Sequence, residues 1–166
     1  MLPRRLHLLQ VGLLALGGCG FQLRGAPQLA FSSLYIGIAE SSTLGTELKR
    51  NLSSLGQLDV ITDAKLQPGA QVILDILSEA REKTVVGVNA SGQVREFQLR
   101  VRMKFRLRTP QGKELIPETE LLLQRDISFN ESAVLAKEAE EGLMYRDMQT
   151  DIVQQLMRRL AAVKTL

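Results

Sequence analysis

The sequence predicts an α+β fold, a four-stranded and mainly antiparallel sheet with two amphipathic helices packed on one face. Three observations carry that prediction. Within Val94 to Arg108 the chain alternates from Phe97 on: Phe97, Leu99, Val101, Met103, Phe105 and Leu107 hold the odd positions, and Arg100, Arg102, Lys104, Arg106 and Arg108 the even ones. A period of two is that of a half-buried strand, and at roughly 3.3 Å per residue this one spans about 50 Å, long enough to require a bend or bulge. Two further long strand-like segments flank it across short turns. Two stretches with apolar residues every three to four positions supply helices to cover its apolar face.

Taken in order, the chain begins with Arg4 and Arg5, an apolar run from Leu8 to Leu16 interrupted only by Gln10, and then small residues. This is the pattern of an export signal, and the run is too short to span a bilayer. Leu16-Gly17-Gly18-Cys19 resembles the bacterial lipobox, whose cysteine thiol receives a diacylglycerol. Cys19 is the only cysteine, so it has no partner for an intramolecular disulfide. Acylation there would hold the chain on a membrane at about 0.8 kcal/mol per buried methylene. Residues 1–18 are therefore expected to be a removed signal peptide, 19–33 a lipid-anchored connector, and 34–166 a single domain. Gly20, in place of the aspartate that favours inner-membrane retention, points to the outer membrane and its periplasmic side.

Phe21 to Ser33 carries Gly25 and Pro27 and shows no periodicity, as a connector should. Leu34 to Ala39 reads as a short strand. Ser41-Ser42-Thr43 offers capping hydroxyls for a first helix whose Leu44, Leu48, Leu52 and Leu55 share a face, with Gly56 as its stop. Leu58 to Ile61 is compatible with a second short strand. After Pro68-Gly69 come the three long segments of an antiparallel meander: Gln71 to Val88, the opening strand after an Asn89-Ala90-Ser91-Gly92 hairpin, and Leu115 to Ile127 after a Pro110–Lys113 turn. Asn130 to Glu141 is a mixed stretch that Gly142 is placed to break or bend. Met144, Met148, Ile152, Leu156 and Leu160 then repeat every four residues as a longer helix, with Arg158 and Arg159 at the negative end of its dipole.

Several chemistries are excluded. His7, the only histidine, lies in the signal and Cys19 is reserved for lipid, which removes imidazole and thiolate metal sites and histidine-based triads. No glycine-rich phosphate loop is present. Glu118 and Glu120, and Glu138, Glu140 and Glu141, are clusters without the geometry of a paired-carboxylate hydrolase. The chain is read as a non-enzyme that needs no cofactor. Its formal net charge is +3, but taking Arg4 and Arg5 from the 21 basic residues leaves 19 against 18 acidic ones. Bulk charge therefore predicts no polyanion partner, and export with only 4% aromatic residues argues against nucleic acid.

Local charge is another matter, because the even face of the opening strand is a cationic row. One reading is cross-strand neutralisation. A simple hairpin register places Glu79 opposite Arg102 and Asp75 opposite Arg106, and the following turn places Glu118 opposite Lys104 and Glu120 opposite Arg102. The other reading is that Arg100, Arg102 and Lys104 bind phosphate groups or an acidic surface.

Several segments together resemble one family, the small lipopolysaccharide-assembly lipoproteins of Gram-negative outer membranes. They are Cys19-Gly20-Phe21-Gln22-Leu23-Arg24-Gly25, Ser91 to Leu99, Arg125 to Asn130, and Leu135-Ala136-Lys137-Glu138 with Met148 and Gln155-Leu156 downstream. The resemblance implies a four-stranded sheet with two helices on one side and no catalysis. It also implies a role as the plug of a large outer-membrane β-barrel partner, whose assembly the plug assists, and binding of lipopolysaccharide on its way to the cell surface. In that family, basic residues near the hairpin tip and in the Leu-Ala-Lys segment are implicated in ligand contact. Lys137 matches the second position. The tip here, Asn89 to Gly92, carries no cation; Arg95 lies near it but not at the matching position.

Overall fold

The computed structural model describes residues 28–39 and 41–166; the expected signal peptide, Cys19 and most of the connector lie outside them. Among the described residues five strands and two helices form two layers. The strands are β1 (Ser33–Gly37), β2 (Asp59–Ile61), β3 (Val72–Val88), β4 (Val94–Arg108) and β5 (Glu114–Ser128); the helices are α1 (Thr43–Ser53) and α2 (Val134–Ala162). The sheet order is β2-β1-β3-β4-β5. β1 runs parallel to both β2 and β3, while β3, β4 and β5 are antiparallel. The expected four-stranded, mainly antiparallel sheet is thus corrected to a five-stranded mixed one. α1 carries the chain back after β1, so β1 and β2 must be parallel, and β2 is a full edge member although only three residues long.

β4 behaves as its alternation dictates. Leu99, Val101, Met103, Phe105 and Leu107 are all buried, while Arg100, Arg102, Lys104, Arg106 and Arg108 lie half-exposed on the opposite face. The buried row packs under Leu44, Leu48 and Leu52 of α1 and Met148, Ile152, Val153, Leu156 and Leu160 of α2. α1 begins where the hydroxyls predicted: Ser42 is the N-cap, and its Oγ accepts from the Gly45 amide at 2.9 Å. Gly45 is itself required small, since a Cβ there would stand 2.6 Å from Ile38. α2 is one 29-residue helix from Val134, so the expected break at Gly142 does not occur. That glycine faces open space with no competing contact, and its cost of about 1 kcal/mol is absorbed by the helix on either side.

The two hairpin turns are built alike. Gly92 and Gly112 adopt positive φ of 77° and 93°, and their amides donate to the carbonyls of Asn89 and Thr109 at 3.0 Å. The β3–β4 register then differs from the simple one in an instructive way. Val88 lies opposite Val94 rather than Gln93, so residues from Val85 back to Ser78 are displaced by one; the irregularity between Ile76 and Ser78 restores the frame. Asp75 accordingly sits opposite Arg106, as expected, but Ala80 rather than Glu79 faces Arg102, and Glu82 faces Arg100. A one-residue slip exchanges faces. It sends Glu79, Arg81 and Lys83 to the helix side and Glu82 to the cationic side.

Candidate ligand-binding surface

The cationic row of β4 is a sequence of ion pairs of two qualities. At one end Asp75 Oδ2 accepts from Arg106 Nε and Arg108 Nε, each at 2.8 Å. Partial burial pushes the Asp75 carboxyl up, but the bonds from Arg108 and Arg106 outweigh it and hold the group below the ordinary aspartate range. In the middle the pairs are longer: Arg100 to Glu82 at 4.0 Å, Arg102 to Glu82 at 3.7 Å and to Glu120 at 3.6 Å, Lys104 to Glu118 at 3.7 Å and to Glu120 at 3.9 Å. Arg102 Nε is buried without a hydrogen-bond partner, and Arg100 instead donates to Gln98 Oε1 at 2.8 Å through its Nε. β5 lies two residues further along than the simple turn register, with Lys104 opposite Glu120 and Arg102 opposite Leu122. A two-residue displacement keeps the same face, so both glutamates still reach the cations diagonally.

Arg95 and Lys137 lie at the other end of the domain, around the β3–β4 hairpin. Arg95 is exposed, its carbonyl accepts from the Phe129 amide at 2.7 Å, and among the described residues its guanidinium makes no ion pair. Lys137, in the first turn of α2, donates to Ser128 Oγ at 3.1 Å and to Glu140 at 2.8 Å. Lys83, which the periodicity did not single out, joins them: its Nζ lies 4.3 Å from the centre of the Phe97 ring and 2.6 Å from Glu141. It came to this face through the register slip, which no sequence pattern announces. The same elements also carry exposed apolar side chains: Val85, Val86 and Val88 on the hairpin, and Val134, Leu135 and Leu143 on α2, with Leu135 82% exposed. Phe97 and Phe129 meet edge-on at 5.4 Å beneath them. Cations within an apolar surface suit an amphiphile that carries both phosphates and acyl chains.

A polar junction, also absent from the sequence reading, fixes α2 relative to α1 and β3. The buried Gln149 accepts from Thr43 Oγ1 at 2.9 Å and from Arg81, and donates to Glu47 at 2.7 Å, while Thr150 donates to the same carboxylate at 2.8 Å. The Tyr145 hydroxyl donates to the Glu82 carbonyl at 2.7 Å, and burial pushes its pKa up, helped by Glu141. The first half of α2 is thereby held over the hairpin, which positions Lys137. Among the described residues no group of three or more metal-ligating side chains converges.

The described residues form a sheet backed by two helices that carries surface cations and exposed apolar side chains. Two solved structures that share this architecture bear lipoprotein names. Lipoprotein B from Nitrosomonas europaea is 36% identical with a TM-score of 0.73, covering 86% of this chain and 91% of that one. Rare lipoprotein B from Shewanella oneidensis, 18% identical with a TM-score of 0.65, covers 78% and 94% and shares the fold. The family model described as LptE: Lipopolysaccharide-assembly matches residues 31–160; the chain belongs to that family. Among curated relatives, the LPS-assembly lipoprotein LptE of Pectobacterium atrosepticum is 28% identical over 163 residues, covering 96% of this chain and 86% of its own length. That of Photorhabdus laumondii is 26% identical, covering 94% and 84%.

Proposed function

We propose that this chain is an outer-membrane lipoprotein, acylated on Cys19, that plugs a large β-barrel partner, assists its assembly and helps deliver lipopolysaccharide to the cell surface. The observation that carries the reading is the family match across residues 31–160, which spans the whole sheet and nearly all of α2. Lys137 and Arg95 are the leading ligand contacts. Phosphates would meet cations there while acyl chains lie against Val85, Val88 and Leu135. Arg100, Arg102 and Lys104 are secondary contacts, because a phosphate must displace Glu82, Glu118 or Glu120 to reach them. Their pairs at 3.6–4.0 Å are loose enough for that exchange, since exposed pairs of this kind are worth only about 0.2–1 kcal/mol.

The same pairing supports a second reading, a structural plug and assembly factor with little affinity for ligand. Affinity capture of the acylated protein from detergent-solubilised envelopes separates them. A large β-barrel recovered together with lipopolysaccharide supports the first reading, whereas a barrel without glycolipid binding by the isolated protein supports the second. Recovery of no barrel removes both.

A further inference from the structure

The end of the domain nearest the connector carries the opposite charge to the hairpin end, and we propose that it rests on anionic phospholipid headgroups of the membrane holding the anchor. This rests on the reading of Cys19 as the acylated residue. The described chain enters at Gln28 and is fastened to the sheet where β1 and β3 begin: the Ser32 amide donates to Gln71 Oε1 at 2.7 Å, and the Asp59 amide to the Ser32 carbonyl at 2.8 Å. The last turn of α2 lies at this same end. Lys113 in the β4–β5 turn donates to the Leu166 carbonyl oxygen at 3.0 Å, which ties the tail after α2 to the turn following Arg108, itself opposite Ile73 near the start of β3.

Arg158, Arg159 and Lys164 are exposed here, and among the described residues none of them makes an ion pair. The acids nearby are Asp59 and Glu114, together with Asp75, which is committed to Arg106 and Arg108. At the hairpin end the balance reverses: Glu96, Asp126, Glu131, Glu138, Glu140 and Glu141 outnumber Lys83, Arg95, Arg125 and Lys137. Nine peptide bonds separate Cys19 from Gln28, a span that cannot exceed about 32 Å whatever its conformation. The basic end is therefore the end that reaches the bilayer. Headgroup attraction acts only within about 10 Å, so the cations must approach the surface closely, as an acyl anchor paired with a basic patch does.

Vesicle co-sedimentation tests this with the mature chain carrying Cys19→Ser, so that no acyl group contributes, on vesicles free of lipopolysaccharide. Binding is expected to vesicles containing phosphatidylglycerol and not to pure phosphatidylcholine, and to fall as salt rises. Arg158→Glu with Arg159→Glu should weaken it roughly tenfold or more, from about fivefold per cation near the surface. Arg125→Glu with Arg146→Glu, the same change in net charge at exposed positions away from this end, should leave it within about twofold on the same scale. If the first pair fails to fold by circular dichroism, the corresponding glutamine substitutions serve in its place. Equal binding to both vesicle types, or equal loss in the two double variants, overturns the proposal. Whether Cys19 is acylated in cells is read separately by mass spectrometry, so failure of the anchor and failure of the headgroup contact are distinguishable.

Discussion

Lys137 offers the sharpest test of ligand binding because its present partners are known. Its ammonium is shared between Ser128 Oγ and Glu140, at 3.1 and 2.8 Å, in a partly exposed i,i+3 pair. Truncation to alanine removes an interaction worth at most about 0.5 kcal/mol to folding, so the melting temperature should barely move. A lysine–phosphate contact contributes about 1.5–3 kcal/mol gross, from which the cost of releasing Glu140 must be taken. A net loss of about 1 kcal/mol corresponds to roughly fivefold weaker lipopolysaccharide binding. Glu140→Gln works in the opposite direction, because it frees the ammonium without altering its position, and should strengthen binding by a few-fold. Both effects should shrink as ionic strength rises. Titration of immobilised lipopolysaccharide across a salt series measures them. Identical affinities for the parent, Lys137→Ala and Glu140→Gln at low salt would remove this residue from the binding surface.

Two further outcomes probe the scaffold. Phe105→Ala empties the centre of the core, where Phe105 has no exposed surface. It should cost about 3–5 kcal/mol and lower the melting temperature by roughly 10 °C or more, with smaller loss in Phe105→Leu. Asp75→Asn releases Arg106 and Arg108 and should reduce stability near neutrality by roughly 1–2 kcal/mol. Because the folded Asp75 pKa is depressed, its contribution is complete above the unfolded value of about 3.9 and disappears as pH falls through the lower folded value. Urea midpoints of parent and variant should therefore converge as the pH falls below the depressed folded value; a gap that persists once the carboxyl is protonated in both states would show that the carboxylate charge is not the source.

The fold was legible where a periodicity was long. The alternation of β4 marked its buried row residue by residue, and the four-residue spacing from Met144 to Leu160 marked the core half of α2. The parallel pairing of β1 with β2 was not legible, because a three-residue strand has no period to read and its place depends on where α1 returns the chain. Helix continuity through Gly142 was hidden for a related reason: the first half of α2 lies over the hairpin with Val134, Leu135 and Leu143 exposed, so its apolar stripe is broken. For the candidate surface, acidic neighbours of β4 could be anticipated in kind. Their identity turned on one residue of register, with Glu82 taking the place expected for Glu79. The two-residue displacement of β5 altered partners without altering faces, and so did less harm to the expectation.

A role in delivery requires that lipopolysaccharide reach the cell surface through this protein. In cells whose only copy of this chain can be switched off, surface-exposed lipopolysaccharide labelled from outside should fall as the protein is depleted, while the glycolipid accumulates inside the outer membrane, and re-expression should reverse both. Unchanged surface labelling after the protein has gone would contradict a role in delivery.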